Sequence, residues 1–189
     1  MILIGLVGKK RAGKDTACEF MSTLLHPKIT RRVGFADELK KEICVAINGV
    51  NSLYGTPMKQ PMTPNFIDCN KDNFRLILQG WGTDFRRNMC NDNYWIDKTL
   101  KTLVDMKATV DCAIIPDVRF RNEAKMIKTV GGHLIRIFRP NMSSKIIDSH
   151  ASETELDSID TDWIVNNDSS FEVLREKLLK ILKEIGLKK

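Results

Sequence analysis

The feature that most constrains this chain is a glycine-rich basic loop between an apolar run and a helical pattern. Residues 2–20 are ILIGLVGKKRAGKDTACEF. The apolar run ILIGLVG is typical of a buried strand, and Ala17, Phe20, Met21 and Leu24 recur at helical spacing. Strand, glycine loop and helix form the context in which the pattern G-x-x-x-x-G-K binds phosphate. The stretch therefore predicts a phosphate-binding loop, or P-loop.

Each residue type in this loop suits phosphate chemistry. Gly8 and Gly13 let the backbone curl so that its N–H groups point at phosphate oxygens, and Lys14 reaches the terminal phosphates. Asp15 stands where a Mg²⁺-binding Ser or Thr normally follows the lysine, and Thr16, which comes next, can donate to an inner phosphate. A carboxylate is a hard oxygen ligand, so Mg²⁺ binding is retained. The other candidate nucleotide-binding residues of the loop are Lys10, Arg11 and Ala12. The alternative is a basic turn with Asp15 as a helix cap.

Composition excludes several classes of protein. The chain has 189 residues, 42% hydrophobic and 29% charged, which is typical of one globular domain. No apolar run approaches the roughly 20 residues of a membrane span, and no signal-peptide order is present, so we expect a cytoplasmic protein without membrane partners. Five scattered cysteines without CxxC spacing indicate neither a disulfide framework nor a zinc site. The net charge of +6 suits nucleotide or nucleic acid and does not choose between them.

Strand and helix patterns alternate along the chain. The later predicted strands are RRVGFA, CAIIPDVRF, HLIRIFRP and DWIVNND. The later predicted helices are DELKKEICVAI, NFRLILQGWGTDFRRNM, NYWIDKTLKTLVDM, RNEAKMIKTVGG and SFEVLREKLLKILKEIGL. Asp37 opens the first of these helices at a capping position. The last helix carries Phe171, Leu174, Leu178 and Ile181 on one face. Gly80 and Gly82 predict a helix break. Residues 48–72 predict a long loop that could include a turn of helix, and residues 141–160 a mobile polar excursion. The alternation favours an α/β fold with a parallel sheet and helices on both faces.

A second acidic residue ends an apolar strand. Asp117 follows CAIIP, and the carboxyl end of a parallel strand is where ligands gather. There it could hold the water shell of a metal opposite Lys14, or it could cap the helix that follows. Arg119 and Arg121 come next, as ligands of a transferring phosphate or as solvated charges at the start of that helix.

Several segments, in order, resemble the bacteriophage-type deoxynucleoside monophosphate kinases. They are GLVGKKRAGKDT, FADELK, LQGWGTDFRR with YW, PDVRFRNEA, GGHLIRIFRP, SHASE and DWIVNNDSSFEVL. The match covers nearly the whole chain except residues 48–72, and members of that family carry Asp at the position of Asp15. The resemblance implies a three-layer P-loop kinase fold with a parallel sheet of about five strands. It also implies an acceptor-binding lobe over about 37–100 and a lid over about 139–160 within one kinase domain.

The resemblance also implies roles for individual residues. The residues that would bear transition-state charge are Lys14, Arg119 and Arg139, and the metal residues are Asp15 and Asp117. Asn167 would belong to the loop around the adenine of ATP, although a turn and helix cap are also expected there. The implied acceptor-binding residues are Asp37, Lys40, Gln79, Thr83, Arg86, Arg87 and Glu123. Asp37 has helix capping as an equal alternative, Arg86 and Arg87 are rivals for the acceptor phosphate, and Trp95 is expected in the core rather than stacked on a base.

The implied lid carries a polar run of Arg139, Lys145, His150, Ser152 and Glu153. Closure of such a segment would exclude water from the transferring phosphoryl group. His150 could be a general base, but the acceptor is already a phosphate anion at neutral pH. We therefore expect SHASE to be structural or to assist closure.

These features together predict transfer of the γ-phosphoryl group of ATP, with Mg²⁺, to a deoxynucleoside monophosphate. One alternative is another small-molecule P-loop kinase, specific for dephospho-coenzyme A or phosphomevalonate. A second is a nucleotide- or nucleic-acid-binding module without turnover. Because Lys and Arg are spread along the chain with no dense basic run, no stable nucleic-acid complex is expected. The sequence leaves both a monomer and a homodimer open.

Overall fold

The computed structural model describes residues 1–53, 60–140 and 155–188. The chain divides into two compact units. The first, here called the sheet unit, consists of Met1–Val33 and Thr102–Lys189, and the second, the helical unit, consists of Gly34–Lys101. Across the described ranges, no helix combines the length and the apolar character that a membrane crossing would need.

A five-stranded sheet organises the sheet unit. Its strands are β1 Ile2–Val7, β2 Thr30–Arg32, β3 Cys112–Val118, β4 His133–Phe138 and β5 Trp163–Asn166. The order is β2-β3-β1-β4-β5, and every neighbouring pair is parallel. The predicted α/β fold is confirmed. Because the strands are parallel, their carboxyl ends meet at one edge, and β1 delivers the P-loop to the middle of that edge.

Helices connect the strands of the sheet unit. In the described part of the helical unit, all regular secondary structure is helical. The α-helices are α1 Lys14–Leu25, α2 Phe35–Leu53, α3 Pro64–Cys69, α4 Arg75–Gln79, α5 Tyr94–Met106, α6 Arg121–Thr129 and α7 Phe171–Glu184. A π-helix spans Gly80–Cys90, and one turn of 3₁₀-helix spans Glu155–Ser158.

The core of the sheet unit lies between the central strands and the apolar faces of α1 and α7. Leu6 of β1 and Ile114 of β3 are fully buried, as expected for strands that are covered on both faces. Met21 of α1 and Leu178 of α7 pack into the same cluster. The predicted core face of α7 is correct at Leu174, Leu178 and Ile181 but wrong at Phe171. The Phe171 ring is largely exposed and meets the ring of Phe20 edge-on.

The start of α2 differs from the prediction. The helix begins at Phe35 rather than after Asp37. Asp37 therefore lies in the first turn, and its Oδ2 accepts a hydrogen bond from the N–H of Gly34 at 2.7 Å. Its carboxylate caps the helix by reaching back, as the third residue of a capping box does.

The loop predicted over residues 48–72 is largely helical where it is described. α2 continues to Leu53, and α3 occupies Pro64–Cys69. Thr63 caps α3 by accepting a hydrogen bond from the N–H of Phe66 at 3.2 Å. Residues 54–59 lie outside the described residues.

The helix break predicted at Gly80 and Gly82 is also wrong. α4 passes directly into the π-helix, and the interruption comes after Cys90. Gly82 packs closely against α2, because a Cβ there would lie 2.7 Å from Cδ2 of Leu39 and the Leu39 side chain would have to shift. A glycine in a helical pattern therefore marks a close approach here.

The polar excursion predicted over 141–160 packs at its end, where Leu156 is fully buried in the 3₁₀ turn. Residues 141–154 lie outside the described residues, and with them the predicted lid residues Lys145, His150, Ser152 and Glu153.

Candidate active site

The P-loop links the end of β1 at Val7 to the start of α1 at Lys14. Arg11 and Gly13 adopt left-handed backbone conformations, with φ of 64° and 98°. The N–H of Ala12 donates to the carbonyl oxygen of Lys9 at 3.1 Å and closes the turn. The chain thus curls ahead of the helix N-terminus, where backbone N–H groups and the helix dipole favour an anion.

Each motif glycine has its own structural reason. A Cβ at Gly8 would lie 2.5 Å from the backbone oxygen of Ile137. A Cβ at Gly13 would lie 2.4 Å from Nδ2 of Asn167, and the positive φ of Gly13 disfavours any other residue. The predicted P-loop is therefore sterically specified as well as correctly spaced.

Lys14 folds back over the loop that precedes it. Its Nζ donates to the carbonyl oxygens of Gly8 at 2.6 Å and Lys9 at 2.9 Å. These bonds hold the ammonium group at the loop, next to the N-terminus of α1. Positive charge, helix dipole and curled backbone therefore coincide, which is the arrangement that terminal phosphates need.

Asp15 and Asp117 are two acidic residues of the sheet unit. Asp15 is exposed in the first turn of α1, and Asp117 lies near the end of β3. Burial raises the pKa of the Cys18 thiol to about 11, and both carboxylates add to that rise through their negative charge.

A Mg²⁺ ion that arrives with a phosphate would need only one or two carboxylates from this chain. Among the residues that the structure describes, no group of three or more His, Cys, Asp or Glu could form a metal cage. Mg²⁺ is commonly held by one or two carboxylates together with phosphate oxygens and water. Asp15 and Asp117 would be those carboxylates.

Glu123 holds the segment that follows β3. Helix α6 begins at Arg121, with Phe120 at its N-cap, so the alternative that Asp117 caps this helix is wrong. Glu123 is buried, and its Oε2 accepts from the N–H groups of Arg119 at 2.8 Å and Phe120 at 3.1 Å. Its predicted contact with the acceptor stays a prediction, while its carboxylate fixes the backbone of Arg119.

Arg121 anchors the 3₁₀ turn. Its Nε donates to Oγ of Ser158 at 2.7 Å, and its backbone N–H donates to Oε2 of Glu155 at 3.2 Å. Arg139 is exposed directly after β4, at the same edge of the sheet as the P-loop.

Asn167 follows β5 at that edge. Its Nδ2 donates to the carbonyl oxygen of Ala12 at 2.9 Å. The expected helix cap lies further on, because α7 is capped by Ser170, whose side chain accepts from the N–H of Val173. Asn167 therefore contacts the P-loop itself.

In the helical unit, Glu42 of α2 is the centre of a polar cluster. Its Oε1 accepts from Nε1 of Trp81 at 2.9 Å and from Nε of Arg86 at 2.5 Å. Its Oε2 accepts from the hydroxyl of Tyr94 at 2.8 Å, and a second guanidinium nitrogen of Arg86 also contacts the carboxylate. The Arg86 guanidinium lies 4.9 Å from the centre of the Tyr94 ring and 5.0 Å from that of Phe85. Arg86 is thus engaged by one carboxylate and several aromatic rings.

Arg87 has a different environment from its neighbour. It is 4% exposed, and one of its guanidinium nitrogens donates to Oδ1 of Asp92 at 3.1 Å. Thr83, one turn earlier in the π-helix, is also buried, while Gln79 ends α4 half-buried. Two adjacent arginines are thus separated by the helix into distinct sites.

Lys40 is almost completely buried in a group of carboxylates. Its Nζ contacts Oδ1 of Asp37 at 3.3 Å and Oδ1 of Asp68 at 2.9 Å. Although burial alone would raise the pKa of Asp68, the hydrogen bonds and charges of Lys40 and Lys71 hold that pKa below its usual value. Asp37, Lys40 and Asp68 therefore form one charged group that ties α2 to α3. The roles of Asp37 and Lys40 toward the acceptor stay predictions.

Trp95 lies in the core, as expected. It is 4% exposed, and its Nε1 donates to the carbonyl oxygen of Gly82 at 2.8 Å.

Sequence reasoning missed Glu42, Tyr94 and Asp68. The three partners of Glu42 lie 39, 44 and 52 positions further along the chain. No local spacing connects them, so only the fold reveals the cluster.

The Glu42 cluster leads to a prediction for stability against pH. Burial raises the pKa of Glu42, but hydrogen bonds from Trp81, Tyr94 and Arg86, with the charge of Arg86, outweigh burial and lower that pKa below its usual value. A lowered pKa stabilises the fold above the unfolded-state pKa, and this contribution disappears as pH falls through the folded-state value. We expect Glu42→Gln to lower the free energy of unfolding by about 2 kcal/mol at neutral pH. The difference from wild type should shrink below about pH 4.5.

Urea unfolding over this pH range measures both quantities. Glu176→Gln, which removes the same charge from an exposed position of α7, is the control and should unfold like wild type. A gap between Glu42→Gln and wild type that stays constant at all pH values would contradict the prediction.

The sheet order and the P-loop define the class of protein as a P-loop kinase. A solved structure, dephospho-CoA kinase from Campylobacter jejuni, aligns with a TM-score of 0.50 and 16% sequence identity. The alignment covers 97% of this chain and 96% of that one. At this identity the likeness shows the fold alone, and it confirms the predicted fold class.

Sequence comparison identifies the family. The family model described as deoxynucleotide monophosphate kinase matches residues 60–178. A protein of Acanthamoeba polyphaga mimivirus, provisionally named deoxynucleotide monophosphate kinase, is 35% identical over 193 residues, covering 95% of each chain. The deoxynucleotide monophosphate kinase of Escherichia phage RB69 is 28% identical over 110 residues, 58% of this chain and 44% of that protein. This chain belongs to the deoxynucleotide monophosphate kinase family and is an ATP-dependent phosphotransferase.

Proposed function

We propose that this protein transfers the γ-phosphoryl group of ATP, as its Mg²⁺ complex, to the 5′-phosphate of a deoxynucleoside monophosphate. The products are ADP and the deoxynucleoside diphosphate. The observation that carries the proposal is the Lys14 ammonium, held by two loop carbonyls at the N-terminus of α1, in a chain of this family. A cytoplasmic location suits such an enzyme.

The sheet unit would bind ATP. Backbone N–H groups from Gly8 to Gly13 would surround the phosphates, Lys14 would contact the β- and γ-phosphates, and Thr16 would donate to an inner phosphate. Arg11 is exposed on the loop, as is Lys10, so both side chains are accessible to a phosphate. Arg119 and Arg139 would neutralise charge that spreads over the phosphoryl oxygens during transfer.

Asp15 and Asp117 would hold Mg²⁺. When bound, the ion neutralises phosphate charge and orients the phosphate oxygens. Asp15 follows the P-loop lysine in the first turn of α1, and Asp117 lies near the carboxyl end of β3, the edge of the sheet that carries the P-loop.

The helical unit would bind the acceptor. Arg87 is the better candidate for its phosphate, since a buried guanidinium makes stronger contacts with an anion than an exposed one. Arg86 would instead stabilise the unit, because Glu42 and the surrounding rings already engage it. Thr83 and Gln79 lie one and two turns before Arg87 and would contact the base or sugar.

No general base is needed for this reaction. The acceptor phosphate is an anion at neutral pH, so positioning and charge neutralisation supply the catalysis. His150 is therefore not required for proton transfer, and the lid predicted over about 139–160 stays a prediction.

The decisive experiment is an assay that couples ADP release to a spectroscopic signal, run with ATP and Mg²⁺. The common deoxy- and ribonucleoside monophosphates would be offered in turn, with dephospho-coenzyme A and phosphomevalonate as rival acceptors. We expect turnover on at least one deoxynucleotide. Turnover on a rival acceptor alone would overturn the proposal, as would DNA binding without any phosphoryl transfer.

A further inference from the structure

Asn167 connects the end of β5 to the P-loop, 155 positions away in the sequence. Its backbone N–H donates to the carbonyl oxygen of Phe138 at 2.7 Å, which fixes the residue beside the end of β4. Its side-chain Nδ2 donates to the carbonyl oxygen of Ala12 at 2.9 Å. Since a carbonyl oxygen only accepts, the amide nitrogen must be the atom that faces Ala12.

This bond determines the orientation of one peptide plane. In a trans peptide, the carbonyl and the following N–H point in opposite directions. Asn167 holds the Ala12 carbonyl on its own side, so the N–H of Gly13 is directed to the other side. Gly13 is the N-cap of α1, whose first N–H groups offer an anion site.

The packing leaves little freedom for another arrangement. Ala12 is 2% exposed, and a Cβ on Gly13 would lie 2.4 Å from Nδ2 of Asn167. The positive φ of Gly13 belongs to the same conformation. The side chain of Asn167 therefore rests directly on the backbone that would cradle phosphate.

We propose that Asn167 is a positioning residue for the phosphates of the nucleotide. Its amide locks the Ala12–Gly13 peptide so that the Gly13 N–H faces the phosphate chain. This role differs from the one implied by the resemblance, in which Asn167 lies around the adenine. The inference rests on the proposed function only in taking a nucleotide triphosphate as the ligand.

Calorimetric binding without an acceptor tests the inference, with ATP, GTP and inorganic tripolyphosphate as three probes. Asn167→Ala removes the donor, and we expect it to weaken the binding of all three probes by the same factor, about tenfold for one lost hydrogen bond. Asn167→Asp keeps the shape of the side chain but presents only acceptor atoms to the Ala12 carbonyl. It should therefore weaken the binding of all three probes further. Asn167→Ser, which retains a donor, should recover part of the affinity.

Asn73→Ala, which truncates an exposed asparagine of the helical unit, is the matched control and should bind all three probes like wild type. Circular dichroism checks that each variant folds, and the serine variant keeps the test informative if the alanine variant does not. Weaker binding of ATP alone would overturn the inference in favour of adenine recognition, and unchanged binding of all three would overturn it outright. If wild type bound none of them, the proposed function would fail as well.

Discussion

Lys14→Ala is expected to lower phosphoryl-transfer turnover by about 100- to 1000-fold, the effect of removing a single preorganised charge-stabilising group. The Lys14 ammonium is held by the carbonyl oxygens of Gly8 and Lys9, so it needs little reorganisation to meet a phosphate. Its charge also adds to the positive end of α1. Alanine removes the charge while the two glycines and the backbone of the loop remain.

The measurement is kcat and kcat/KM in the coupled ADP-release assay, with thermal unfolding as a check on the fold. Lys180→Ala, which removes the same charge from an exposed position of α7, is the control and should keep wild-type turnover. A folded Lys14→Ala variant that retains turnover within a few-fold of wild type would show that another group carries the terminal phosphates.

The sheet and the P-loop were predictable because their signals are local. Apolar runs such as the one ending at Val7 stand out in sequence, and the loop is a contiguous motif between strand and helix. Asp37 was placed at the wrong position of α2 because a helix can be capped by its N-cap residue or by its third residue, and the sequence fits both.

The polar cluster of the helical unit was not predictable, because it depends on contacts distant in sequence. Glu42 looks like any exposed polar position of an amphipathic helix until Trp81, Arg86 and Tyr94 surround it. The close approach of Gly82 to Leu39 is likewise encoded by no periodicity. Residues that contact one another across long separations need the fold before their roles can be assigned.

The same reasoning separates the two adjacent arginines, which the sequence leaves as rivals. Arg86 is bound by Glu42 through a close ion pair and lies over aromatic rings, whereas Arg87 is buried with Asp92, whose side chain is 74% exposed. A buried guanidinium gains more from a phosphate, because the surrounding dielectric is low and its planar fork can bind two oxygens. Arg87 is therefore expected to contribute most of the acceptor-phosphate affinity.

Arg87→Ala is accordingly expected to raise KM for the deoxynucleoside monophosphate by about 10- to 100-fold, as one or two charge-assisted hydrogen bonds would be lost. KM for ATP should change little, since the ATP site is assigned to the sheet unit.

Arg86→Ala should instead lower the free energy of unfolding, because the Glu42 carboxylate loses its charged partner. Arg87→Lys keeps the charge without the planar guanidinium fork, so its KM for the acceptor should fall between those of wild type and Arg87→Ala. Steady-state kinetics and urea unfolding of all three variants measure these effects. The reverse pattern, with Arg86→Ala raising KM for the acceptor and Arg87→Ala only destabilising the fold, would assign the phosphate to Arg86.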